Sequence, residues 1–221
     1  LVLNGRGVAA YGLGDYGDAE AFFQKAMGRF QAAGSTERLC SAYNNLGMIA
    51  MKQGDTRLAV SWYEKAMRIH AKAGNRTGLA HTYNNLGSLY GELGDYQRSE
   101  GFLRESIRIR ERSRHASVAL GYANLGEVLL KRGEYDEAME YLERAIKLCE
   151  TGSGPAYLLP DAWRTLAEIH LAKGAHGVAR EACAEAMRLA EVAKDLPRLA
   201  AAYRVKGAVA DAEGEPQEAI T

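Results

Sequence analysis

The sequence predicts an all-α chain: an α-solenoid of helix–turn–helix repeats about 40 residues long, with five full repeats and a partial sixth. Three observations predict it. A small residue recurs as Gly7, Gly47, Gly87, Gly126, Ala167 and Gly207, at steps of 40, 40, 39, 41 and 40 residues. A second glycine follows each by seven residues, as Gly14, Gly54, Gly94, Gly133, Gly174 and Gly214. Further small residues keep the same phase at Ala19, Ala59, Ser99, Ala138, Ala179 and Ala219, then at Ala26, Ala66, Ser106, Ala145 and Ala186, while Leu3, Tyr43, Tyr83, Tyr122, Trp163 and Tyr203 precede the first glycine by four.

Each column has a physical reading. The second glycine ends one helix in the left-handed conformation. The acidic residue after it (Asp15, Asp55, Asp95 or Glu134) favours the N-terminus of the next helix. Each unit is therefore helix A, tight turn, helix B. The first glycine and the alanine columns lie inside helices, where glycine costs about 1 kcal/mol against alanine. Close helix–helix approach offsets that cost, with Phe23, Tyr63 and Trp62 filling the gaps left by small residues. The A helices cover about 1–13, 36–53, 76–93, 116–132, 156–173 and 197–213. The B helices cover about 15–33, 55–73, 95–113, 134–150, 175–193 and from 215. Gly34, Gly74 and the stretch Thr151–Pro155 connect units; that stretch is either a hinge or a slightly longer loop. One domain, 1–221, is expected, with repeats at about 1–34, 35–74, 75–114, 115–154, 155–195 and a partial 196–221.

Composition narrows the function classes. The 28 Lys+Arg balance 28 Asp+Glu, so no global charge draws the chain to nucleic acid or an anionic membrane. No run of about 18 apolar residues could span a bilayer. Cys40, Cys149 and Cys183 lack any ligand spacing and read as buried free thiols of a reducing cytoplasm. The pattern is already running at Leu1 and still running at Thr221, which reads as a segment of a larger protein.

Chemical motifs are weak. Gly12–Gly17 matches GxGxxG, but a helix precedes it where the dinucleotide fingerprint requires a strand. His70, His81, His115, His170 and His176 show no metal-ligand spacing, and no nucleophile–base set shares a repeat position. No metal, cofactor or catalytic residue is expected. Asn75-Arg76-Thr77 is a glycosylation sequon that a cytoplasmic chain would not use. Arg98, Arg104, Arg108, Arg110, Arg112 and Arg114 crowd helix B of the third repeat. They read as a solvated outer face partly paired with Glu100, Glu105 and Glu111, and no interleaved aromatics support nucleic-acid stacking.

The columns resemble the tetratricopeptide repeat (TPR): an aromatic, Leu-Gly three residues on, Gly-Asp-Tyr at the turn and small residues in helix B. Repeat two reads YNNLGMIAMKQGDTRLAVSWYEKA and repeat three YNNLGSLYGELGDYQRSEGFLRES. The resemblance covers essentially the whole chain and is specific for fold, weak for function. The 40-residue unit is similar to the Pins/LGN adaptors, kinesin light chains and bacterial regulators such as MalT-like activators and peptide-responsive quorum-sensing receptors. The composition leans bacterial. Repeats five and six depart from YNNL, reading WRTL and YRVK.

The resemblance implies a right-handed superhelix whose A helices line a concave, peptide-binding groove. It places on that face Asn4, Asn44, Asn84, Ala123, Arg164 and Arg204 from the position three before the first glycine. It adds Met48, Ser88 and Glu127 from one after, Tyr11 and Met51 from four after, and Lys52 and Lys131 from five after. Asparagine is a poor helix former, so its recurrence asks for a reason. An amide can bind the backbone of an extended peptide or bridge neighbouring units. Peptide binding is expected of Asn4, Asn44 and Asn84, and a structural role of Asn45, Asn85 and Asn124. Arg164 and Arg204 could grip a carboxylate, although Glu168 stands four residues after Arg164. The expected function is a protein- or peptide-binding scaffold whose partner carries acidic residues. The alternatives are a self-assembling or intramolecular module, homo-oligomeric through its terminal repeats, and the sensor domain of a bacterial transcriptional regulator.

Overall fold

The computed structural model describes residues 2–113 and 117–214. The helices run α1 (Val2–Gly12), α2 (Tyr16–Ala32), α3 (Thr36–Lys52), α4 (Thr56–Lys72), α5 (Arg76–Glu92), α6 (Tyr96–Arg112), α7 (Val118–Arg132), α8 (Tyr135–Glu150), α9 (Leu159–Ala172), α10 (His176–Val192) and α11 (Leu196–Glu213). No strand occurs among the described residues. The chain forms two compact units, 1–112 and 113–221. In the first, α1 to α6 pack each on the next; in the second, α7 to α11 do the same. Arg114, His115, Ala219 and the helix expected from 215 lie outside the described residues.

The turns follow the glycine column: Gly14, Gly54, Gly94, Gly133, Gly174 and Gly214 all hold φ between 72° and 81°. Asp15, Asp55 and Asp95 then accept a hydrogen bond from the backbone N–H three residues on, at 3.0 to 3.1 Å. Glu134 makes no such bond. The fifth A helix starts later than the sequence suggests. A short 3-10 turn, Ala156–Leu158, precedes α9, because Pro160 lacks an N–H and fits only the first helical turn. The Thr151–Pro155 stretch is tied down: the Gly154 amide donates to Leu148 O at 2.8 Å, and a Cβ on Gly154 would sit 2.9 Å from that of Ala119.

The first glycine column receives a large side chain from helix B of the same repeat. A Cβ on Gly7 would lie 2.6 Å from Phe23, and one on Gly47 2.6 Å from Tyr63. Gly87 and Gly126 face Leu103 and Leu142 at the same 2.6 Å. Repeat five inverts the sizes, with Ala167 for glycine and Cys183 for the large residue. All four large side chains are at most 1 % exposed, each worth about 1.5–3 kcal/mol of hydrophobic stabilisation. Trp62 is partly buried against the clusters of Ala59 and of Ala19, and it also stacks on Tyr43, centroids 5.4 Å apart. Serines in the alanine columns bond to the neighbouring A helix, Ser99 to the Gly87 carbonyl at 2.7 Å and Ser106 to that of Ala80 at 2.8 Å.

Candidate functional site

In the first unit, asparagines join each A helix to the next. Asn45 Nδ2 on α3 donates to Asn4 Oδ1 on α1 at 3.2 Å. The Thr82 hydroxyl on α5 lies 3.2 Å from Asn44 Oδ1 and 3.1 Å from the Gly78 carbonyl, and it is fully buried. Asn84 is also buried, 5 % exposed. Both asparagine columns therefore carry inter-repeat bonds, and each bond uses only half of an amide. Asn44 keeps its Nδ2 donors and Asn45 keeps its Oδ1 acceptor.

A polar cleft of about 400 Å³ opens beside these bonds. Glu37, Ser41, Asn44 and Asn45 line it from one face of α3, at the spacing of successive helical turns. Thr77, Gly78, His81 and Asn85 line it from α5 in the same way. His70 from the end of α4 and Asn75 from the α4–α5 turn complete it. Asn75 caps α5, its Oδ1 accepting from the Gly78 N–H at 2.8 Å, so its Nδ2 points elsewhere. Arg110 Nη2 stands 3.3 Å from His81 Nδ1. A guanidinium only donates, so this contact makes Nδ1 the acceptor and leaves the proton of the neutral ring on Nε2.

His70 is the unusual member. It is 5 % exposed, and its ring hydrogen-bonds to no described residue. Burial pushes its imidazole below the ordinary histidine value, and the Glu37 carboxylate pulls it back up. Its ring stands where a Cβ on Gly78 would be, 2.2 Å from Cε1, 2.4 Å from Nδ1 and 2.6 Å from Nε2.

The other expected groove residues are spread over both units. Tyr11 and Met51 are half-buried and pack against core clusters, Tyr11 beside Phe23 and Met51 beside Tyr63. Met48 and Ser88 are half-buried, and Lys52, Glu127 and Lys131 are exposed. Asn85 and Asn124 are half-buried. In the second unit the Arg164 guanidinium is taken up by Glu168, with Asp161 Oδ1 3.9 Å from Nε. Arg204 is exposed and forms no ion pair among the described residues. Outside the groove, the arginines of α6 are largely engaged: Arg98 with Asp95, Arg104 with Glu100 and Arg108 with Glu105, at 2.5 to 2.9 Å.

Sequence reasoning did not single out His70, Asn75, Gly78 or His81 as one site. A signal was present. The column of His70 reads Phe30, His70, Arg110, Cys149, Ala190, so a polar ring replaces a core hydrophobe. The column of Gly78 reads Arg38, Gly78, Ser117, Leu158, Arg198.

Among the described residues no cluster of His, Cys, Asp or Glu could hold a metal ion, and no helix is long and apolar enough to cross a membrane. Two tetratricopeptide-repeat family models match, over residues 38–112 and 119–151. No curated protein sequence matches. Among solved structures, the chain is similar to BtubC (BKLC) from P. vanneervenii, with 24 % identity and a TM-score of 0.72 over 86 % of this chain and 78 % of that one. It is similar to the nearly identical TPR-like repeats of a Podosopora anserina protein described as a kinesin light chain, with 17 % identity and a TM-score of 0.68 over 87 % and 95 %. It is also similar to a Rap protein complexed with competence and sporulation factor, with 16 % identity and a TM-score of 0.70 over 95 % and 64 %. At these identities the likeness concerns the fold.

Proposed function

This chain is a tetratricopeptide-repeat protein, and we propose that it is a non-catalytic interaction module, holding an extended segment of a partner polypeptide along its A helices. The observation that carries the reading is the half-used amide row. Asn4, Asn44 and Asn45 are fixed by inter-repeat bonds, yet Asn44 retains donors and Asn45 an acceptor. A preorganised amide can take the C=O and N–H groups of a peptide backbone without ordering itself first. Extended peptides suit this mode, because backbone bonds supply affinity and side-chain pockets supply register. That a similar fold, the Rap protein, was solved with competence and sporulation factor supports the same reading.

In the second unit Arg204 is the better anchor for an acidic side chain of the partner, since Arg164 is already neutralised by Glu168. Tyr11, Met48, Met51, Lys52 and Ser88 flank the backbone path in the first unit, and Glu127 and Lys131 on α7 are the corresponding positions of the second. The test is titration of the partner segment, selected from a peptide library, against wild type and the Asn44→Ala/Asn45→Ala double variant. Weakened binding with unchanged helicity supports the reading, and unchanged affinity overturns it.

One observation favours a second reading, self-association through the last helices. Val192, Leu196 and Tyr203 are 74 %, 73 % and 41 % exposed. A groove of about 280 Å³ with an apolar floor of Cys183, Met187, Val209 and Ala210 lies between α10 and α11. Light scattering over a concentration series decides it; a strict monomer argues against this reading.

A further inference from the structure

We propose that the cleft between α3 and α5 is a pocket for one uncharged carboxamide side chain, Asn or Gln, of a bound polypeptide. This rests on the reading that a partner lies on this A-helix face, and it names the side chain the partner sets into that face.

Two residues from columns that vary between repeats make the pocket together. His70 stands where Phe30, Cys149 and Ala190 stand in three other repeats and Arg110 in a fourth, and its ring makes no hydrogen bond to any described residue. Its ring nitrogens are not enclosed by protein, so a hydrogen-bonding ligand in the cleft can reach them in place of water. Gly78 then removes the one Cβ that would cover the ring edge, since that atom would lie within 2.6 Å of both ring nitrogens. Either substitution alone would give a strained or sealed contact. Together they leave an imidazole edge open to a cleft of about 400 Å³, near the lower end of the roughly 300–1,000 Å³ typical of ligand pockets.

The lining selects the ligand. Asn44, Asn45 and Asn75 line the cleft, and each has one end of its amide in a hydrogen bond, Oδ1 for Asn44 and Asn75 and Nδ2 for Asn45, which leaves donors on the first two and an acceptor on the third. Asn85 supplies both kinds, with no hydrogen bond to a described residue. Glu37 is the only carboxylate on the lining, and the Arg110 guanidinium stands behind His81. A carboxylate ligand would face Glu37. A cationic ligand could pair with Glu37 but would leave the asparagine donors unmatched. A carboxamide has two donors and two lone pairs and matches the mixed lining without charge.

The test is an NMR titration of the full chain, following the His70 ring proton. N-acetyl-L-glutamine methylamide is compared with its glutamate and arginine counterparts and with free L-glutamine. A saturable shift with the capped glutamine, about tenfold weaker with the two charged compounds, supports the proposal. Gly78→Ala should abolish the shift, and Asn85→Ala, on the half-buried rim, should weaken binding about tenfold. Circular dichroism checks that both variants keep their helicity; the rim variant keeps the test decisive should Gly78→Ala unfold. Equal responses to all compounds, no saturable shift, or no effect of Asn85→Ala would overturn it. A stronger response to free glutamine than to the capped form overturns the assignment to a polypeptide side chain. Because single capped residues do not use the amide row, failure here leaves the partner titration to stand or fall separately.

Discussion

Tyr63 closes on Gly47 until no methyl group fits between them: a Cβ on Gly47 would lie 2.6 Å from Tyr63 Cε1 and 2.8 Å from Cδ1. The ring is 1 % exposed and belongs to the cluster of Ala50, Ala59, Leu86 and Leu89, so it has nowhere to retreat. Gly47→Ala therefore gains about 1 kcal/mol of helix propensity and loses more through overpacking, typically about 1–3 kcal/mol. Urea denaturation should show a net loss. Adding Tyr63→Cys, the pairing repeat five uses in Ala167 and Cys183, should remove the clash and leave only a cavity cost, so the two changes should be non-additive.

Lys194 is the only non-glycine with positive φ among the described residues, at 54°, in the position that Gly34 and Gly74 hold in earlier repeats. A side chain there costs about 1–2 kcal/mol, against which glycine adds some unfolded-state entropy. Lys194→Gly should raise the urea midpoint with an unchanged m-value, by about 0.5–1 kcal/mol.

Acid should destabilise the fold through His70. Its folded-state value lies below the ordinary 6.5, burial outweighing the pull of Glu37 on α3. His81 on α5 shares the cleft and meets Arg110 from α6. As pH falls below 6.5, the unfolded chain takes the proton first, so stability is lost through that window and is fully present above it. One such proton gives a slope of at most about 1.4 kcal/mol per pH unit. His70→Phe, copying Phe30, should flatten the dependence of Tm on pH between 7 and about 5. A slope unchanged by this substitution would assign the acid sensitivity to other groups.

The thiols should be silent. Cys40, Cys149 and Cys183 are buried, and burial pushes all three above the ordinary thiol value. A thiol reagent at neutral pH should modify none of them in native protein and all three in denaturant. Rapid labelling of Cys183 alone would mean that α10 and α11 separate on the labelling timescale.

Much of the fold is legible because one physical requirement repeats along the chain. Gly54 and Asp55 state a helix stop and start in two letters, which recur as Gly14-Asp15 and Gly94-Asp95, while the glycine alone keeps the phase through the later repeats. Phe23 and Tyr63 could be assigned to their glycines on size, but Leu103 and Leu142 look like any core leucine and were not. The late start of α9 turns on Pro160 lying inside a pattern that otherwise reads helical. The cleft was hidden for a different reason. Periodicity finds what repeats agree on, whereas the columns of His70 and Gly78 differ from repeat to repeat, and the two residues meet only across a turn.

The size-matched pair of Gly47 and Tyr63 lies within a single repeat, whereas Asn4–Asn45 and His70–Gly78 each join two. Duplication or loss of whole modules would thus treat them differently. Excising residues 35–74 would carry Gly87 and Leu103 along intact and set Asn85 opposite Asn4, in the place of Asn45. It would also bring Phe30 under Gly78 in place of the imidazole. Recombination between repeats can therefore lengthen or shorten this chain at little cost to folding while erasing or creating a recognition pocket at the new junction, so a lineage could gain or lose ligand specificity without a single point mutation.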